Sequence, residues 1–197
     1  MAARDAILAA LRRAARPPVP RPALDGVGAR YPELAVRFAE AVAAVAGSCL
    51  RVPDLAAAAA TLGALPVRRD ARRVVSLVPG VGAPTEDAAA ASDPHALEGI
   101  DLAILPGALG VAENGAIWVE GSALPHRALV VIPEHLAVVL SAADLVADLH
   151  DAYARIDLAG RPRFGLFLAG PSKTADIEQA LVIGAHGARS LTVLLVG

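Results

Sequence analysis

Lysine is almost missing from this 197-residue chain: Lys173 is the only one, and every other one of the 18 basic residues is arginine. Cysteine is as scarce. With Cys49 alone the chain forms no internal disulfide and cannot ligate an iron–sulfur cluster or a structural zinc through thiolates, a usage that fits a reducing cytoplasm. An excess of either charge is lacking too. Eighteen basic residues against 20 acidic ones leave a net charge of -2, so there is no global field for a polyanion, and nucleic acid and anionic membrane are not expected partners. No apolar run continues for about 18 residues without a charge or a proline, so no membrane span is expected. The positive mean hydropathy of +0.52 comes largely from alanine. The five histidines show no ligand spacing, and neither a Gly-x-Ser-x-Gly elbow nor a dinucleotide fingerprint occurs.

What remains is enough apolar sequence, 55%, for one sizeable core with a small appendage. Residues 1–30 read as a helical arm and a proline-rich linker. Ile7, Leu8 and Leu11 lie at helical spacing among Arg4, Arg12, Arg13 and Arg16, and then Pro17, Pro18, Pro20 and Pro22 forbid helix. The arginines loosely suggest a transit peptide, but Asp5 and the lack of serine favour an ordinary amphipathic arm.

Residues 31–197 read as one α/β domain. Helices are predicted over 31–46, with Pro32 in the first turn, and over 53–62. Strands are predicted over 73–78, 102–105, 117–119, 128–132 and 136–140. Ser141 and Asp144 suggest a capped helix that turns Leu145, Leu149, Ala152, Tyr153 and Ile156 inward and pairs Asp151 with Arg155 outside. The chain then reads as strand 163–169, helix 175–184 and strand 191–196. A strand, helix, strand unit implies parallel pairing with helices on both faces of a sheet.

Two stretches carry candidate chemistry. GPSKTADIE, residues 170–178, joins a predicted strand to a predicted helix, where free amides and the helix dipole favour an anion. Gly170 permits close backbone approach, Ser172, Lys173 and Thr174 would face the ligand, and Asp176 suits the first turn. The competing reading is helix capping alone. His186, at the far end of that helix and roughly 15 Å away, is expected to be a C-terminal cap. The second stretch, GVAENGAIWVE at 110–120, reads as a hairpin with Asn114 and Gly115 in a type I′ turn. Glu113 is left as a candidate nucleophile or base, or as a solvated carboxylate.

The run GPSKTADIEQALVIGAHGARSLTVLLVG, together with GVAENGAIWV and VVIPEHLAVVLSAADLVADL, resembles the lactate-utilisation protein C family, built on the LUD domain, over roughly residues 70–197. Ala188 stands where that family more often has proline, and the position of Lys173 varies among its members. The resemblance implies a three-layer α/β/α fold like that of CoA transferases and ribose-phosphate isomerases. It also implies a part in oxidising L-lactate to pyruvate beside two iron–sulfur partner proteins, while the small anionic ligand is read from the 170–178 loop itself. Ala112, Glu113, Asn114 and Gly115 are similar to the Ser-Glu-Asn-Gly motif that carries the catalytic glutamate of some CoA transferases, which keeps a self-sufficient acyl- or CoA-transferring, or ligase-like, enzyme open as the alternative.

Overall fold

Three runs of leucine and β-branched residues, apolar on both faces, form the middle of one five-stranded parallel sheet. The computed structural model describes residues 3–17, 19–20, 26–156, 164–176 and 179–197. In chain order its elements are α1 (Ala3–Ala14), α2 (Leu34–Ala44), β1 (Ser48–Val52), α3 (Leu55–Ala64), α4 (Pro66–Arg69), β2 (Val74–Ser76), β3 (Leu102–Pro106), β4 (Leu109–Val111) and β5 (Ala116–Glu120). They continue as β6 (His135–Ser141), β7 (Leu145–Val146), α5 (Leu149–Arg155), β8 (Gly165–Leu168), β9 (Lys173–Thr174), β10 (Val182–Ile183) and β11 (Ser190–Val196). The central sheet runs β1-β11-β6-β3-β2, all parallel. A second sheet runs β7-β4-β5-β8, and β9 and β10 form a separate antiparallel pair.

Alternation along the central strands divides the core in two. Leu136, Val138 and Leu140 of β6, with Val193 and Leu195 of β11, face Phe38 and Val42 of α2 and Ile117 and Val119 of β5. Ala137, Val139 and Leu194 face the other way, onto Ala58 and Leu62 of α3. The small side chains of α3 let it lie close to the sheet. Asp54 caps this helix by accepting the Ala57 N–H at 2.7 Å. The result is a mixed helix and strand architecture of three layers, with the second sheet sharing one outer layer with α2. α1 buries none of its residues.

Several expectations need correction. Pro32 lies outside α2, because Glu33 is the extended N-cap residue. Residues 128–132 are not a strand: Arg127–Val130 is a 3-10 turn whose backbone bonds are local, Val131 and Ile132 both donating to Ala128 O. An apolar run that short does not distinguish strand from helical turn. Ser141 caps a single 3-10 turn, Ala142–Asp144, after which Leu145 and Val146 pair with β4 as β7. The helix begins only at Leu149, under an Asp148 cap. Ala152 is buried as expected, but Tyr153 is exposed, and Asp151 pairs with Arg30 at 3.6 Å rather than with Arg155.

The largest correction concerns residues 175–184, where β9 and β10 pair in place of a helix. Gln179 sits at φ 57 and Gly184 at φ 78, neither of them helical, and Gly184 N–H donates to Ser172 O. Residues 177 and 178 of the expected helix lie outside the described residues. β8 therefore has no crossover to β11. It is antiparallel to β5 in the second sheet.

Candidate functional site

Glu113, Asn114 and Gly115 occupy the loop between β4 and β5, which pair antiparallel from Leu109↔Trp118 to Val111↔Ala116. The hairpin is as expected, but its turn is not type I′, because only Gly115, at φ +71, enters the left-handed region. The loop instead has four residues, closed by Gly115 N–H to Val111 O at 2.9 Å. Asn114 Oδ1 accepts the Ala116 N–H at 3.0 Å. A Cβ on Gly115 would lie 2.7 Å from Val42 N, so the loop is pressed directly onto the α2 backbone.

Glu113 is exposed, and its peptide is fixed by Glu113 N–H to Ala147 O at 3.0 Å and by Arg37 Nη2 to Glu113 O at 3.1 Å. Its carboxylate accepts the Leu149 N–H, the first of α5, at 3.3 Å. A negative group is favoured there by the unpaired amides at the helix start. Beside it, buried Asp148 accepts the Asp151 N–H at 2.9 Å and meets Arg30 at 3.4 Å. Hydrogen bonds from the Asp151 and His150 amides, and then the nearby Arg30 charge, hold the Asp148 carboxyl below the usual carboxylate range. Sequence reading missed Arg30, Arg37 and Asp148 as neighbours of Glu113. Asp148 three residues before Asp151, ahead of an apolar helix, was the available signal, since this is how an N-cap reads.

The loop at 170–174 lies elsewhere. Ser172 N–H donates to Ala188 O at 2.8 Å, and Ala188 precedes the first residues of β11. The loop thus borders the N-terminal edge of the parallel sheet and not the carboxyl edge where open α/β folds hold ligands. Gly170, at φ +74, packs against the Val45 carbonyl at the end of α2, and the Lys173 ammonium donates to that same oxygen. Thr174 Oγ1 accepts the Asp176 N–H at 3.2 Å in a local turn. Lys173, Asp176 and His186 are exposed; Ser172 and Thr174 are half-buried. With no helix following, the dipole argument for an anion here is gone, and so is the capping role expected for His186. No hydrogen bond or ion pair among the described residues joins the Glu113 loop to the Lys173 loop.

Elsewhere, a cleft of about 340 Å³ at the N-terminal sheet edge is lined by Pro66, Asp70, Asp101, Glu134 and His135, among others. Asp101 accepts the Arg72 and Arg73 amides at 2.7 and 2.8 Å, and His135 Nδ1 meets Ser190 Oγ at 2.8 Å. Among the described residues, no three His, Cys, Asp or Glu side chains gather as a metal site, and no helix is long and apolar enough to cross a membrane.

A parallel sheet flanked by helices, carrying a glutamate hairpin pinned to one helix, defines this chain as a three-layer α/β protein. The LUD domain pattern matches residues 57–196, and the chain belongs to the LUD-domain family. A DUF162 family protein from Deinococcus radiodurans, in its crystal structure, aligns over 84% of this chain and 97% of its own with a TM-score of 0.61; at 20% sequence identity this is a likeness of fold. A lactate utilization protein C from Deinococcus radiodurans is 38% identical over 100 residues, 48% of this chain and 46% of that protein. A lactate utilization protein C from Shouchella clausii is 32% identical over 91 residues, 44% and 40% of the two chains. An uncharacterized protein from Neisseria meningitidis serogroup B is 30% identical over 99 residues, 49% and 42%. The chain thus spans less than half the length of these curated relatives.

Proposed function

We propose that this chain is an accessory or subunit protein of a cytoplasmic, iron–sulfur-dependent system that oxidises L-lactate to pyruvate, with residues 31–197 as its LUD-like domain. The observation that supports this reading is the LUD match over 57–196, together with relatives named lactate utilization protein C. Removing two electrons from a 2-hydroxy acid needs an acceptor, and a chain with Cys49 as its one thiol cannot ligate a cluster through cysteines, so on this reading the acceptor is a cluster of a partner protein or a cofactor of another kind. The role left to this chain is to bind a small anionic ligand. We assign Asn114 and Gly115 on one loop, or Gly170, Ser172, Lys173, Thr174 and Asp176 on the other, to holding it, and take Glu113 as the candidate catalytic carboxylate; the loops meet α2 at points too far apart for one small ligand to touch both.

The test is lactate-dependent dye reduction by the purified protein, with and without the iron–sulfur partners, alongside its absorbance between about 350 and 450 nm, where flavins and clusters absorb. Turnover only with the partners is expected. A coloured protein that reduces dye unaided overturns the accessory role.

Two observations favour other readings of individual residues. The Lys173 bond to Val45 O makes this lysine a cap that offsets the negative end of α2. The exposed Glu113 carboxylate on a fixed peptide suits an acyl- or CoA-transferring enzyme: its oxygen would attack a thioester carbonyl, forming a glutamyl anhydride as the CoA thiolate leaves. Mass spectrometry after incubation with acyl-CoA decides that case, and an unmodified Glu113 removes it.

A further inference from the structure

We propose that the cleft between α3, α4 and the loop after β2 holds the phosphate group of a small phosphorylated molecule. The cleft measures about 320 Å³, near the lower end of the range that takes small organic ligands. Arg68 and Arg69 of α4 supply its charge, Gly80, Gly82 and Ala83 of the loop form one wall, and α3 contributes only alanine and glycine. No carboxylate lines it among the described residues, in contrast to the cleft on the other side of α4 with Asp70, Asp101 and Glu134. It lies on the α3 side of the central sheet, opposite the α2 side that carries the Glu113 and Lys173 loops, so the proposal rests on neither.

The local sequence shapes the loop. Pro79 and Gly80 form a turn closed by Val81 N–H to Val78 O at 3.2 Å, with Gly80 at φ +77 as the third residue of a type II turn requires. Gly82, at φ +84, lets the backbone lie on the sheet: a Cβ there would fall 2.3 Å from Ile104 Cδ1. Ala83 follows at φ +44, a region that alanine seldom enters. Arg68 holds both peptides, donating from Nε to Gly82 O and from Nη2 to Ala83 O, the latter at 2.9 Å. The far end of the loop is fixed as well, because Thr85 N–H donates to Val74 O at 2.9 Å.

This framework leaves donors and charge without partners. The amides of Gly80, Gly82 and Ala83 have no acceptor among the described residues, and each needs one from solvent or a ligand. The acceptors of Arg68 are neutral carbonyls, so its half-buried guanidinium keeps a full positive charge, with Nη1 unengaged among the described residues. Arg69, exposed beside it, makes no ion pair or hydrogen bond among them. Over residues 68–73 four arginines stand against one acid, Asp70. A doubly charged phosphate with three free oxygens suits this set better than a single carboxylate does. Arginine forks bind phosphate oxygens in pairs, and unpaired loop amides take the remainder. The Cβ position of Gly80 is open, which lets a ligand come up to the backbone.

The probes are ribose 5-phosphate and AMP, with ribose, adenosine and inorganic phosphate beside them, titrated into the full chain by calorimetry and followed in amide NMR spectra. At least one of the two phosphate esters is expected to bind and to shift the Gly80 and Gly82 amide signals, while ribose and adenosine leave them unmoved. Arg69→Glu, at an exposed residue without partners among the described residues, is expected to weaken the ester at least tenfold with an unchanged melting temperature. Arg69→Lys, which keeps the charge and loses the fork, should retain part of the affinity. Arg155→Glu on α5 is the control for unspecific charge and should leave binding as it is. Failure of both esters to bind overturns the proposal, as does an equal loss in Arg69→Glu and Arg155→Glu. Binding of ribose or adenosine as strong as that of its phosphate ester overturns it too, and so does binding of inorganic phosphate alone.

Discussion

Replacing Gly115 by alanine tests how the Glu113 loop is held. At φ +71 a Cβ costs about 1–2 kcal/mol in left-handed strain alone. The added atom would also lie 2.7 Å from Val42 N and 2.8 Å from Ala41 C, closer than real Cβ contacts, and both partners are backbone in the last turn of α2. No side chain can rotate away, so the loop or the helix must shift, which adds about 1–3 kcal/mol of overpacking. A total near 3 kcal/mol corresponds to about 6–12 °C in Tm for a chain of this size. Gly80→Ala is the control, because Gly80 has a similar φ of +77 but nothing within 4 Å of its Cβ position, which leaves the strain alone. Urea denaturation of the two variants measures the difference. Equal losses at the two positions, or a loss below about 1 kcal/mol for Gly115→Ala, refute the claim that the loop is seated on the α2 backbone.

Other outcomes follow from single side chains. Leu62→Ala, at a fully buried site between α3 and the sheet, is expected to cost about 2–5 kcal/mol in urea denaturation. Burial raises the Cys49 thiol to about 11, so at pH 8 about one thiol in a thousand is ionised, and alkylation by iodoacetamide in the native protein should be far slower than after unfolding. Asp101, through the Arg73 and then the Arg72 amide, and Asp148, through the Asp151 amide, both have depressed carboxyl pKa values. Their stabilising contribution is complete above the unfolded value near 4 and is lost as the pH falls through the lower folded values. Asp101→Asn should therefore flatten the acid limb of stability against pH, measured by thermal melts from about pH 2 to 6.

The parts of the fold that were legible from sequence are those where one residue pattern serves one purpose. Strands β3, β6 and β11 are apolar on both faces, and the Asp54 cap ahead of Leu55 starts a helix as its chemistry dictates. Misreadings arose where the same apolar spacing suits two structures and tertiary contacts decide. Val182 and Ile183 fit a helix face, but pair with Thr174 and Lys173 because Ser172 exchanges backbone bonds with Ala188 and Gly184. Leu145 and Val146 fit a helix stripe, but are drawn into the second sheet by the edge of β4. At the candidate site, Glu113 was visible as a carboxylate that a turn did not explain. Its partner, the first amide of α5, was hidden because that helix was expected to begin several residues earlier.

The contacts of α2 bear on how the two candidate loops can act. One loop is tied to Arg37 and the other to Val45, eight helical residues apart, which is roughly 12 Å along the axis. A three-carbon hydroxy acid is far shorter than this span, so a lactate-sized ligand held by one loop leaves the other a structural role. Lys173→Met and Glu113→Gln then behave differently. Whichever variant weakens such a ligand in a thermal-shift screen by about 1.5–3 kcal/mol, the scale of a charge-assisted hydrogen bond, identifies the binding loop. The other variant should change stability alone. An extended ligand such as an acyl-CoA is long enough to reach both anchors, and it alone would be weakened by both substitutions. Losses at both positions for lactate or pyruvate would contradict the separation of the loops along α2.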